Sequence, residues 1–173
     1  AVPEEIFHAD VAVIDAEVRH KTSQQAYNIC LGLVQQALRC GTDTVYIKTD
    51  SGLRGNIGAM FQAALDAGGA AVAYYAPALP QMNRLTRGGI QYIDGVPIDK
   101  SVFGQDPFEP VRNSDVAAII AEQSGLPTVT AEPGEPIRLK GPGIQICDAK
   151  SVEDIRRTGE VLRQNGKLRA LAG

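Results

Sequence analysis

The sequence predicts an α/β fold: an open, mostly parallel sheet with helices on both faces, Rossmann-like, plus a loop excursion that contains a hairpin. Short β-branched apolar runs alternate with amphipathic stretches, and such alternation requires crossover helices between parallel strands. The dipeptide Asp94-Gly95 lies between two apolar segments, which strongly indicates a two-residue hairpin turn. The length of 173 residues with 44% hydrophobic content suits one core and therefore one domain.

The first half of the chain shows the alternation most clearly. Residues 9–15 form a short β-branched run, which predicts a strand buried on both faces. A helix follows, because Thr22 and Gln25 match a capping box, apolar residues recur at helical spacing, and Gly41 ends the segment. The pattern then repeats, and the predicted elements are a strand at residues 44–48, a helix at residues 57–68 and a strand at residues 70–76.

Beyond residue 77 the alternation gives way to a stretch punctuated by proline and glycine. Residues 80–112 contain the predicted hairpin and are interpreted as a candidate lid, since long excursions in compact domains are often functional. The elements predicted after it are a helix at residues 113–123 capped near Ser114, a strand at 126–130, an exposed loop at 131–143, a strand at 144–148, a helix that Ser151 and Asp154 open and Gly166 ends, and a strand at 168–173.

Composition narrows the classes of partner. The formal net charge is -3 and the basic residues form no patch, so we expect no nucleic-acid partner. No apolar run approaches the roughly 20 residues that cross a bilayer, so we expect no membrane partner and a cytoplasmic protein. Three widely spaced cysteines and two histidines predict neither a disulfide framework nor a metal site. Nothing in the sequence excludes a homo-oligomer.

The chemically richest segment is the turn at residues 48–58, where a predicted strand hands over to a helix. Ligands of open parallel sheets bind beyond the carboxyl ends of the strands, where a helix N-terminus adds unpaired N–H groups. Lys48 and Arg54 add positive charge there, while Asp50, Ser51 and Asn56 add hydrogen-bonding groups. This combination predicts a site for an anionic, hydroxylated small molecule.

The glycines of this turn leave a plainer alternative open. Gly52, Gly55 and Gly58 are spaced by three, which fits neither the dinucleotide fingerprint nor the P-loop. They could instead permit a tight turn whose charged side chains are simply solvated. A nucleotide-binding oxidoreductase domain is disfavoured by the same spacing.

Two further arginines are predicted at the same edge of the sheet. Arg19 follows the first predicted strand and could bind a carboxylate with two hydrogen bonds, or it could pair with Asp15 or Glu17 at the surface. Arg84 follows the third strand and would either close over a ligand or remain solvated. His20 lacks an evident nucleophile partner, and we interpret Asp106, Ser114 and Asp115 as helix caps.

Four strings of sequence resemble, in order, the successive signatures of the four-carbon acid sugar kinase family. They are K-T-D-S-G-L-R-G-N-I-G, A-P-A-L-P-x-x-N-R-x-T-x-G-G, D-G-V-P-I and F-G-Q-D-P-F-x-P-V-x-x-S-D. The family phosphorylates threonate, erythronate or 3-oxo-tetronate with ATP and Mg²⁺, using an N-terminal acid-binding and a C-terminal nucleotide-binding domain. The resemblance implies that residues 1–173 are a truncated N-terminal substrate-binding domain, without the family's first strand and nucleotide domain. Such a fragment is expected to be inactive alone and to hold no cofactor.

The resemblance also implies roles for individual residues. Arg54 and Asn56 would shape the turn, and the sugar-acid contacts would be Arg19, Lys48, Thr49, Asp50, Ser51 and, from the candidate lid, Arg84. Asp50 is also the candidate acceptor of the hydroxyl proton. The chain departs from the family pattern at Val18, Gly52 and Asn83, where the family usually has Ser, Thr and Gly. The alternative function is a non-catalytic interaction module, because some family sequences are labelled type III effectors.

Overall fold

The computed structural model describes residues 2–68, 70–136, 138–164 and 170–173. The helices are α1 (Ser23–Arg39), α2 (Ile57–Asp66), α3 (Val116–Ala121) and α4 (Val152–Gln164). The strands are β1 (Val45–Ile47), β2 (Val72–Tyr75), β3 (Arg84–Arg87), β4 (Ile90–Ile93), β5 (Val96–Pro97), β6 (Thr128–Ala131), β7 (Gly143–Cys147) and β8 (Ala170–Ala172).

The strands form two sheets. The larger sheet has five parallel strands in the order β1-β8-β2-β7-β6, and the smaller has three antiparallel strands in the order β3-β4-β5. The connection from β1 to β2 and the one from β7 to β8 run in opposite directions along the large sheet. Because parallel crossovers are right-handed, these connections place α2 and α4 on opposite faces. The predicted fold class is confirmed.

The main core lies between the large sheet and α2. Phe61 of α2 and Tyr75 of β2 are completely buried and meet edge to face, with ring centroids 4.9 Å apart. Ile144 and Ile146 of β7 are also fully buried beside them, as expected for a central strand covered on both faces. This packing fixes the carboxyl ends of β1, β2 and β7 relative to the N-terminus of α2.

Helix α1 begins as the sequence predicts. The Thr22 side chain accepts from the Gln25 N–H, and the Gln25 side chain accepts from the Thr22 N–H, which completes the capping box. The buried residues of α1 pack against α2, where Ala26 meets a cluster that includes Ala59 and Ala63. Small residues at this contact let the two helices approach closely.

The strand predicted at residues 9–15 is wrong. The structure has a 3₁₀ helix at Glu4–His8 and then an irregular segment in which Val11 and Val13 are 77% and 86% exposed. A β-branched run becomes a strand only where a neighbouring strand pairs with it, and among the described residues β1 pairs with β8 alone. Arg19 therefore follows an unpaired segment instead of a buried strand.

The other predicted elements lie within a few residues of their predicted positions. The hairpin turn is confirmed, since Asp94 and Gly95 both have positive φ, at 51° and 79°. Strand β3 is an addition that the sequence did not predict. Of the residues interpreted as helix caps, Asp115 is confirmed, since its carboxylate accepts from the N–H groups of Ala117 and Ala118 at the start of α3, whereas Asp106 and Ser114 do not cap a helix. The predicted helix end at Gly166 and the start of the last strand lie outside the described residues.

Candidate functional site

The β1–α2 turn, residues 48–56, stands at the carboxyl end of β1 and is anchored from below by Thr49. Its side chain is buried, with the hydroxyl oxygen 3.2 Å from that of Tyr75, and its N–H donates to the Gly173 carbonyl at 3.0 Å. Burial raises the pKa of Tyr75, so this phenol stays neutral. Lys48 is exposed, and its ammonium group donates to the Thr49 carbonyl. Thr49 thus supports the turn, whereas Lys48 faces solvent.

Asp50 organises the turn from inside. Its Oδ2 atom lies 2.5 Å from Arg54 Nε, and its Oδ1 atom accepts from the Gly52 N–H at 3.0 Å. Burial raises the pKa of this carboxyl, but the hydrogen bonds from Arg54 and Gly52 and the charges of Arg54 and Arg19 outweigh it and lower the pKa overall. Asp50 is therefore ionised at neutral pH, with both oxygens already accepting hydrogen bonds.

A covering segment, residues 98–111, lies over the turn. Asp106 Oδ2 lies 3.4 Å from Arg54 Nη1, so Arg54 has a carboxylate on either side. The ring centroid of Phe103 lies 5.0 Å from the Arg54 guanidinium carbon. Asp106 also accepts from the N–H groups of Phe108 and Glu109, and these two bonds are the main reason that its pKa is lowered. The covering segment belongs to the candidate lid of residues 80–112, so part of that lid contacts the turn.

The hairpin of β3 and β4 reaches the turn through two side chains. Arg84 Nη1 lies 2.5 Å from the hydroxyl oxygen of Ser51, and its guanidinium carbon lies 5.2 Å from the Phe103 ring centroid. The amide nitrogen of Gln91, which is fully buried, donates to the carbonyls of Ser51 at 3.2 Å and Pro77 at 3.4 Å. Gln91 was not predicted, because an isolated glutamine in a short strand carries no signal of such a contact.

The hairpin is itself fixed to the large sheet. Asp148, which follows β7 and is fully buried, accepts from the N–H groups of Gly88 and Gly89 at the β3–β4 turn. Thr86 exchanges two backbone hydrogen bonds with Ala149, at 3.0 and 3.1 Å, and its hydroxyl donates to the Gln91 side chain at 2.7 Å. These bonds hold Arg84 at a fixed place beside Ser51.

Arg19 lies beside the turn, although not for the reason that the sequence suggested. The side-chain amide of Asn56, which is buried, donates to the carbonyls of Val18 at 2.8 Å and Arg19 at 3.3 Å. Gly55 has a φ of +92°, and a Cβ atom there would lie 3.3 Å from Arg19 Cγ. Asn56 and Gly55 thus seat the Arg19 backbone against the turn, and the Arg19 side chain is exposed above it.

The N-terminus of α2 is partly occupied by the protein itself. The side chain of Gln123 accepts from the Gly58 N–H at 2.8 Å and donates to the Gly55 carbonyl at 2.9 Å. A Cβ atom on Gly58 would collide with the Ile120 carbonyl oxygen, so glycine permits the close approach of α2 and α3. The first-turn N–H of Gly58 is therefore unavailable to a ligand.

Three cationic side chains around the turn have no carboxylate partner within 4.0 Å among the described residues: Arg19, Lys48 and Arg84. The surface pair of Arg19 with Asp15 or Glu17 is not formed, because the Asp15 carboxylate accepts from the Glu17 N–H instead. His20 Nδ1 lies 2.5 Å from Glu109 Oε1, a contact that links the Arg19 segment to the covering segment. Unpaired cations beside the Ser51 hydroxyl suit an anionic, hydroxylated ligand.

In α/β domains with an open parallel sheet, small-molecule sites lie at the carboxyl ends of the strands, which is where this chain has its cationic turn. The chain belongs to the sugar-binding N-terminal domain family, whose model matches residues 3–173. This family match and the similar curated kinases together confirm the predicted relationship to four-carbon acid sugar kinases.

Several curated relatives are similar to the chain over most of its length. A D-threonate kinase of Salmonella typhimurium is 39% identical over 124 residues, which are 69% of this chain and 28% of that enzyme. A D-erythronate kinase of Heliobacterium modesticaldum is 29% identical over 84% of this chain and 36% of its own length. The chain thus spans about a third of the length of the curated relatives it matches.

Solved structures share the fold. A domain of unknown function from Bordetella bronchiseptica, crystallised as a domain-swapped dimer with bound citrate, matches with a TM-score of 0.83 and 25% identity over 96% of this chain and 43% of that one. A Haemophilus influenzae protein matches with a TM-score of 0.80 at 20% identity, which supports the fold alone.

Within the four described stretches, no helix has the length and apolar character that crossing a bilayer requires.

Proposed function

We propose that the chain binds a four-carbon sugar acid, such as threonate, erythronate or 3-oxo-tetronate, at the β1–α2 turn, as part of an ATP-dependent sugar-acid kinase. The observation that carries the proposal is the contact of Arg84 with Ser51, which places an otherwise unpaired guanidinium beside a hydroxyl at the ligand edge of the sheet. A carboxylate and a neighbouring hydroxyl are the groups that such a pair can bind together.

The charges of the side chains indicate which group of the ligand each of them would bind. Arg84, Arg19 and Lys48 would attract the carboxylate, because none of them is neutralised by an acidic side chain within the described residues. The Ser51 hydroxyl would bind a sugar hydroxyl. Arg54 lies between Asp50 and Asp106, so its role is to hold the turn and the covering segment together.

Asp50 remains the candidate acceptor of the hydroxyl proton only as a hypothesis. Its lowered pKa makes it a weak base, since general bases work best with a pKa near the working pH. Its position instead favours a role in orienting Arg54 and the Gly52 N–H, which keeps the turn in the shape that the ligand meets.

The relatives support both the ligand class and the kinase assignment. The similar curated proteins are named for kinases of threonate, erythronate and 3-oxo-tetronate. The Bordetella bronchiseptica structure holds citrate, a hydroxylated carboxylate, and is a domain-swapped dimer, so we extend the proposal to a homo-oligomer. A cytoplasmic location is also proposed, because the similar curated proteins are named as metabolic kinases. Because the chain spans only about a third of the length of relatives named as kinases, we assign ATP and Mg²⁺ to the remainder of a longer protein.

Two measurements test the proposal. Isothermal titration of the chain with D-threonate and D-erythronate should show saturable binding, whereas the uncharged alditol threitol should not bind. A coupled ATPase assay on the longer protein that contains this chain should show turnover that depends on the sugar acid. Binding without turnover would favour the alternative of a non-catalytic module, and failure of every sugar acid to bind would contradict the proposal.

A further inference from the structure

Phe103 of the covering segment lies directly on Gly52 of the turn. A Cβ atom at position 52 would come within 2.7 Å of the ring atom Cδ1 and still closer to Cε1, distances that real side chains do not tolerate. A side chain at position 52 would therefore have to displace the Phe103 ring. Resting on the proposed function, we propose that Phe103 forms the end wall of the sugar-acid site and limits the length of the acid that the site accepts.

The ring is held from several sides. The guanidinium carbons of Arg54 and Arg84 lie 5.0 and 5.2 Å from its centroid, so the same two arginines that contact Asp50 and Ser51 also contact Phe103. A ligand that reaches Ser51 and Arg84 must therefore approach Phe103 as well. The wall and the binding groups are parts of one cluster.

The covering segment has little freedom to move this wall away. Its ends are fixed by Ile98 and Val111, which are buried in the main core. Between them, the Phe103 carbonyl accepts from the Val111 N–H at 2.9 Å, and the Phe103 N–H donates to the Ser101 hydroxyl at 3.2 Å. A wall with such support restricts ligand length by steric exclusion.

The test is to titrate the chain and its Phe103→Ala variant with D-threonate and with D-gluconate, a six-carbon sugar acid. Removing the wall should lower the preference for threonate over gluconate by ~10-fold or more, because one or two carbon units in a shaped pocket change affinity by about this factor. Phe108→Ala is the matched control, since Phe108 lies in the same segment and is 92% exposed, and its preference should match that of the unaltered chain.

A second pair of variants tests the contact itself. Gly52→Ala should weaken threonate binding by ~10-fold, and combining it with Phe103→Ala should restore most of the loss, because the added methyl group then has space. Phe103→Leu replaces Phe103→Ala if thermal unfolding shows that the alanine variant does not fold. An unchanged preference in a folded variant that binds threonate overturns the inference alone. Absence of threonate binding by the unaltered chain instead overturns the proposed function as well.

Discussion

Arg84 Nη1 lies 2.5 Å from the hydroxyl oxygen of Ser51, and this contact joins the antiparallel hairpin to the ligand edge of the parallel sheet. Arg84 is on β3, whereas Ser51 follows β1, so only the folded chain brings them together. The hairpin is held there by Asp148, which binds the β3–β4 turn from the end of β7. The candidate site is therefore built from both sheets.

Arg19 should contribute a modest part of the affinity for a sugar acid. Because its side chain is exposed, its pairing with a carboxylate is worth up to about 1 kcal/mol, so Arg19→Ala should weaken D-threonate binding by about fivefold. The loss should shrink at high salt, as expected for screened charges. Isothermal titration measures both effects, with Lys21→Ala, an exposed neighbour, as the control. Equal affinity of the Arg19 variant and the unaltered chain at low salt would remove Arg19 from the site.

Asp50 should stabilise the fold in a pH-dependent way. Its pKa is lower in the folded chain than in the unfolded chain, so its stabilising contribution is complete above the ordinary Asp pKa of about 4 and disappears as the pH falls through the folded value. Asp50→Asn should cost about 1–3 kcal/mol at pH 7, because Arg54 loses its nearest carboxylate.

Urea unfolding of both proteins at several pH values measures this difference. The gap between them should close under acidic conditions, although Asp106, which also binds Arg54, titrates in both. Asp10→Asn, at an exposed position, serves as the control and should change the free energy of unfolding little at pH 7. A gap that stays constant down to strongly acidic pH would show that the Asp50 carboxylate is not held as described.

Gln123 should prove to be a structural support of the turn. Gln123→Ala leaves the Gly58 N–H and the Gly55 carbonyl without their side-chain partner, which should cost about 1–3 kcal/mol in urea unfolding. Gln62→Ala is the matched control, because its amide binds Asp66 one helical turn away and contributes less than about 0.5 kcal/mol. If the free energy of unfolding falls no more than in the control, the Gln123 hydrogen bonds do not stabilise the N-terminus of α2.

Local signals in the sequence predicted much of the fold. The capping box of Thr22 and Gln25 and the positive-φ pair Asp94-Gly95 are decided within a few residues, so the pattern sufficed. The run at residues 9–15 shows the limit of such local signals. Its β-branched residues favour a strand, but in the described part of the chain no neighbouring strand pairs with it. Strand β3, with the sequence R-L-T-R, carries no β-branched run and could be found only from its partner β4.

The residues of the candidate site likewise differ in whether the sequence predicts them. The β1–α2 turn could be predicted because its polar residues are consecutive and follow a strand. The roles of Gln91, Phe103 and Gln123 could not be predicted, because each lies 40 or more residues along the chain from the residue of the turn that it contacts. Gln91 and Gln123 also bind backbone groups of the turn, which every sequence has. Their roles arise from tertiary packing, which the spacing of residues in the sequence does not indicate.

We propose that the β1–α2 turn and Arg84 together bind a sugar-acid carboxylate. The most direct test is the affinity of Arg84→Gln for D-threonate by isothermal titration, with Arg87→Gln as the control because Arg87, on the same strand, stacks over Tyr92. We predict that Arg84→Gln weakens binding by at least ~10-fold, the usual cost of losing a charge-assisted hydrogen bond, whereas Arg87→Gln does not. Equal affinities of the Arg84 and Arg87 variants would show that Arg84 does not bind the carboxylate.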